Sequence, residues 1–170
     1  MVYFKNATTI SLVAALIIEA YIVAAILYGL DIIYTPIGVT GGLILLVLAI
    51  LAYYSYINSV RYSRRAMLYI APLGIIIGVL ALAIVTGVFS SEISPLRLLF
   101  IAYVIEVIVG WFLRVDYSIY SRVASWIFYL GVIIFTISLA LIDHISTALY
   151  ATFLGNSIKI IGLIKLYRSI

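Results

Sequence analysis

Three ionisable side chains of this 170-residue sequence lie deep inside long apolar runs: Glu19, Glu106 and Lys159. A charge near the centre of a bilayer costs about 2.5–3.5 kcal/mol on insertion scales, so such groups face a bundle interior, a partner protein or water. In the last run Thr152, Asn156 and Lys159 recur at spacings of four and three, which puts them on one helix face beside Gly155. Tyr103, Glu106 and Gly110 form a comparable stripe in an earlier run. Pairing Lys159 with one glutamate leaves the other without a cation, and desolvation then favours its neutral form. The chemistry expected of Glu19, Glu106, Lys159 and Asn156 together is the handling of protons or cations. The structural alternative is a polar cluster that fixes helix register or contacts another subunit.

Other chemistry finds little support. Cysteine is absent, which removes disulfides, thiolate metal sites, iron–sulfur clusters and cysteine nucleophiles. A lone His144, beside Asp143, cannot supply a multi-histidine metal site or a bis-histidine haem. No phosphate-binding loop, HExxH, GxSxG or paired-aspartate motif is present. No catalytic residue and no cofactor is therefore expected.

The elements that must position these groups follow from composition. The chain is 67% hydrophobic and 9% charged, with a mean hydropathy of +1.34; soluble domains are about half apolar and about a quarter charged. Polar surface on that scale cannot cover a water-exposed globule, so the solvent, and the first partner, is the lipid bilayer. Runs of about 20 apolar residues, enough to cross roughly 30 Å of hydrocarbon, occur six times. They span approximately 8–29, 36–57, 67–89, 95–114, 123–142 and 146–166. Continuous runs of this length exclude barrel strands, and no segment is left for a separate soluble domain. The expected fold is all-α: one polytopic transmembrane domain of six helices.

The charges orient it. Lys5, Arg61, Arg64, Arg65, Arg114, Arg122, Lys165 and Arg168 collect on one side, whereas Asp31, Glu92, Asp143 and His144 collect on the other with Arg97. Because cytoplasmic loops retain Lys and Arg, both termini are expected in the cytoplasm and the protein in the cell membrane. The net charge of +4 thus reflects orientation, and no basic run is long enough to bind nucleic acid. Trp111 and Trp126, with Tyr53, Tyr54, Tyr56, Tyr62, Tyr117 and Tyr120, are expected as anchors at the basic interface. Arg97 is expected to snorkel or to pair with Glu92.

Two signatures recur. Tyr62-Ser63-Arg64 enters the third span and Tyr120-Ser121-Arg122 the fifth, 58 positions later; Thr35-Pro36 and Ser94-Pro95 open the second and fourth. They suggest three helical hairpins of similar plan. Pro36 and Pro95 fall in first turns, where a missing N–H costs nothing, whereas Pro72 lies inside the third span and should kink it. The leading functional reading is a non-catalytic integral subunit of a larger energy-converting, transport or assembly complex. The alternative is a small carrier or channel, acting as a homo-oligomer, for protons, cations or small solutes. A lipid-modifying membrane enzyme comes third.

Overall fold

The protein is entirely helical in a computed structural model that describes residues 2–142 and 147–170. Asp143 and His144 lie outside the described residues. Six helices are long and apolar enough to cross a membrane, as expected of a membrane-embedded multi-pass protein. They are α1 (Val2–Tyr28), α2 (Pro36–Ile57), a third span in two pieces, α3 (Arg64–Tyr69) and α4 (Ala71–Val85), then α5 (Pro95–Ser118), α6 (Arg122–Ala140) and α7 (Ala148–Ser169). A short 3-10 turn, Leu30–Tyr34, joins α1 to α2.

Local chemistry sets the ends. Gly29, at φ 89°, stops α1 in the left-handed region that favours glycine. The Thr35 hydroxyl caps α2 by accepting from the Gly38 N–H at 3.2 Å, and Ser121 caps α6 through Ala124 in the same way. Ser63 and Ser94, their counterparts in the recurring signatures, make no such cap, so the repeated residues do different work. The third span breaks at Ile70, two residues before Pro72. Proline has no N–H for the Leu68 carbonyl, and Leu73 instead donates to Ile70 at 3.1 Å.

Packing follows chain order. Each span contacts the next, and α7 closes against α1, so the helices form a ring. Its outward faces carry Leu, Ile, Val and Tyr side chains that only lipid can solvate. One end of the ring holds the Leu30–Tyr34 turn and the α4–α5 connection; the other, basic end holds the α2–α3 and α5–α6 connections and the described chain ends.

Helix α1 begins some six residues before the hydropathy onset. Phe4, Ala7 and Thr8 of its first turns are buried, and Phe4 packs on Tyr117 and Tyr120 with ring centroids 5.2 and 5.1 Å apart. Tyr56 and Tyr117, expected as interfacial anchors, are instead buried in the core and joined hydroxyl to hydroxyl. Trp111 and Trp126 flank Arg114, whose guanidinium lies 4.4 and 4.1 Å from their ring centroids.

The tightest pair is α6 with α7, where glycine lets the backbones meet. A Cβ on Gly131 would strike the Lys159 backbone, one on Gly155 the Phe135 backbone and one on Gly162 the Phe128 backbone. Gly155→Ala is therefore expected to destabilise the protein by about 1–3 kcal/mol, read as a lower midpoint in SDS-induced unfolding of the micellar protein. Gly78→Ala, whose new methyl meets open space, should leave that midpoint unchanged. Equal midpoints for the two variants would rule out the close α6–α7 approach.

Candidate functional site

Helix α7 supplies the site because its inward stripe is polar as well as small. Thr152, Gly155, Asn156, Lys159 and Gly162 are buried along it. Asn156 and Lys159, one turn apart, face different neighbours. Lys159 turns toward α5 and its Nζ donates to Glu106 Oε1 at 2.5 Å. Asn156 turns toward α1, donating from Nδ2 to the Ala15 carbonyl at 2.8 Å and to Glu19 Oε2 at 2.7 Å. Ser157 donates its hydroxyl to the other oxygen of Glu19. The four residues expected as one cluster thus stand as two pairs, Glu106 with Lys159 and Glu19 with Asn156. Lys159–Glu106 is the one ion pair among the described residues, so Arg97 and Glu92 are not paired.

Helical geometry explains the separation. Ala15 and Ile22, four residues before and three after Glu19, are buried, whereas Leu16 and Val23, on its other side, are exposed. Glu19 therefore sits half-buried on the rim of the α1–α7 seam. Its helix neighbour Ile18 is the one that lines the ring interior.

Two cavities occupy that interior. The larger, about 430 Å³, is walled mainly by aliphatic side chains and glycines of α1, α2, α4 and α5, with Phe135 of α6 and Thr152 of α7, and reaches the end of the ring that holds Ile32 and Ile33. The smaller, about 260 Å³, lies toward the basic end, over Tyr56, Met67, Leu113 and Phe128. Glu106 and Tyr103 line both, whereas Lys159 lines only the smaller. Burial matches this division: the Lys159 side chain is 7% exposed and that of Glu106 34%. Tyr103 packs edge-on against Phe135, centroids 4.7 Å apart, which adds aromatic surface beside the carboxylate.

Below the smaller cavity a hydroxyl chain runs from Ser11 to Tyr56, 3.0 Å away, and on to Tyr117. Next along α5 is a residue the sequence did not mark as special. Asp116 is buried, and its carboxylate accepts from the backbone N–H groups of Arg61, Tyr62 and Ser63 at 3.0, 3.0 and 2.8 Å. It also accepts from the Ser63 hydroxyl at 2.6 Å. One carboxylate thereby fixes the whole α2–α3 connection to α5. The only prior hint was its place among arginines at the end of a span.

Three or more His, Asp or Glu side chains arranged to hold a metal ion do not occur among the described residues. Comparison of the chain with known protein families, with curated proteins and with solved structures finds no match.

Proposed function

We propose that the chain is a small membrane carrier for protons or other cations, acting as a homo-oligomer in the cell membrane, with Glu106 as its exchanging group. The observation that carries this reading is that the Glu106 carboxylate borders both cavities while Lys159 borders one. A group on the shared wall of two adjoining cavities can exchange its counter-ion from either. Here the built-in competitor is the Lys159 ammonium, and an arriving cation or proton displaces it. The Ser11–Tyr56–Tyr117 hydroxyls offer proton-conducting groups toward the basic end.

Orientation belongs to the same proposal. With Arg61, Arg64, Arg65, Arg114 and Arg122 at the end shared by the chain termini, the positive-inside rule puts both termini in the cytoplasm. The larger cavity then faces outward. The pairs α1–α2, α3/α4–α5 and α6–α7 form three hairpins that each go out and return.

Flux into proteoliposomes tests the carrier. Glu106→Gln, and the charge-free double variant Glu106→Gln/Lys159→Met, are expected to abolish pH-driven cation or proton flux, while Glu19→Gln retains it. Unchanged flux in a folded double variant would sink the mechanism. A second reading, a subunit of a larger membrane complex, rests on Glu19, a carboxylate on the outer rim of the α1–α7 seam with exposed Leu16 and Val23 beside it. Gentle solubilisation and mass measurement separate the two. The carrier purifies alone or with itself, and a stoichiometric foreign subunit would favour the complex.

A further inference from the structure

We infer that the larger cavity binds a lipophilic organic cation, with Glu106 as its counter-ion. This deepens the carrier reading by naming a substrate class, and rests on the same carboxylate. The cavity's size falls in the range of small-molecule sites, about 300–1,000 Å³, and its walls are mostly apolar. Among the described residues, the polar side chains on it are Tyr21, Tyr103, Glu106 and Thr152. Two of these are already satisfied: Tyr21 donates to the Ile37 carbonyl at 2.6 Å and Thr152 to the Ala148 carbonyl at 2.8 Å. Tyr103 and Glu106 remain, and Glu106, which accepts from Lys159 Nζ at 2.5 Å, is the one charged side chain of the four.

The sign is the decisive point. Lys159 does not line this cavity, so a cationic ligand there reaches the carboxylate directly and competes with the ammonium that holds it at 2.5 Å. Beside the carboxylate stand the rings of Tyr103 and Phe135, and aromatic faces attract desolvated cations. Phe135 already receives the Lys159 ammonium at 5.9 Å from its centroid. A hydrated inorganic ion gains nothing from aliphatic walls, and an apolar anion meets the wrong charge. An apolar body carrying one positive charge satisfies both parts of the site. Its entry route is the α2–α4 seam, the slightest contact between neighbouring spans, where Gly42 and Gly78 line the cavity.

Equilibrium binding to the full chain in lipid nanodiscs tests this without requiring flux. The probes are tetraphenylphosphonium and tetraphenylborate, which share shape and differ in sign. The cation is expected to bind saturably and the anion not. Glu106→Gln/Lys159→Met, which leaves no unpaired buried charge, should weaken the cation by about thirtyfold or more. Gly78→Phe, at a lining position where an added Cβ meets open space, should do likewise by filling the cavity. Equal binding of the two probes, or cation binding unaltered in the folded double variant, would overturn the inference. Binding without flux would retain the site and remove the carrier; flux without binding would do the reverse.

Discussion

Glu106→Gln is expected to lower stability by about 3–5 kcal/mol, more than Lys159→Met does, although both remove the same ion pair. What decides the cost is the group left behind. Breaking a buried pair from one side strands an uncompensated charge, and that penalty is about 3–5 kcal/mol. After Glu106→Gln the survivor is an ammonium with 7% of its side chain exposed. Its backbone packs against Gly131, and of the two cavities its side chain borders only the smaller. After Lys159→Met the survivor is a carboxylate that keeps 34% exposure and borders two cavities. It can be hydrated or protonated, and about 1–2 kcal/mol is expected. The double variant Glu106→Gln/Lys159→Met should recover most of the loss, because two uncharged groups need no counter-ion. SDS-unfolding midpoints of the four proteins form a double-mutant cycle that measures the coupling. Additive effects, or a larger loss for Lys159→Met, would mean that the pair is solvated and that the cavities do not isolate it.

The sequence made depth legible but not direction. Length and hydropathy alone placed Glu19, Glu106 and Lys159 deep inside spans, and the structure puts two of them in contact. Which glutamate meets Lys159 depends on azimuth and on helix order around the ring. A span apolar on every side gives no periodic signal of which face turns inward: in α1, Leu16 and Val23 face lipid while Ala15 and Ile22 are buried, yet all four are aliphatic or small. Tyr56 and Tyr117 were hidden for a related reason. Tyrosine near a span end suits both an interface and a core, and what separates the two is the partner, Phe4 or the other hydroxyl. Gly155 was visible beside the polar stripe of the last span, but the matching of Gly155 to Phe135 and Gly162 to Phe128 is a register that emerges only on packing. The cavities, finally, are spaces between side chains, and no motif encodes a space.

Asp116 shows how a charge at a span end can carry structural weight that composition conceals, and Asp116→Ala is expected to cost about 2–4 kcal/mol. The carboxylate holds three backbone N–H groups and one hydroxyl across more than 50 residues of chain. Arg61 and Tyr62 are exposed, so their freed amides find water at the interface. Ser63 is fully buried, and its N–H and hydroxyl lose their acceptor with no replacement, at about 1–3 kcal/mol for each unsatisfied group. Asp116→Asn should fall between: an amide keeps one acceptor oxygen for Arg61 and Tyr62 but turns an NH₂ toward the Ser63 N–H. Ser63→Ala, which removes one bond and strands no donor, should cost about 1 kcal/mol. Hydrogen exchange checks the mechanism as well as the magnitude: protection of the Ser63 amide should collapse in Asp116→Ala and persist in Ser63→Ala. The consequence reaches the cavities, because Met67, one turn into α3 from this connection, lines the smaller one while Glu106 stands ten residues before Asp116 on α5. Loosening the connection should therefore leave the Glu106–Lys159 pair intact and open the floor beneath it. A proton leak in Asp116→Ala proteoliposomes, without loss of cation binding in the larger cavity, is the expected signature. A variant that loses cation binding and shows no leak would instead place Asp116 in the support of the ion pair itself.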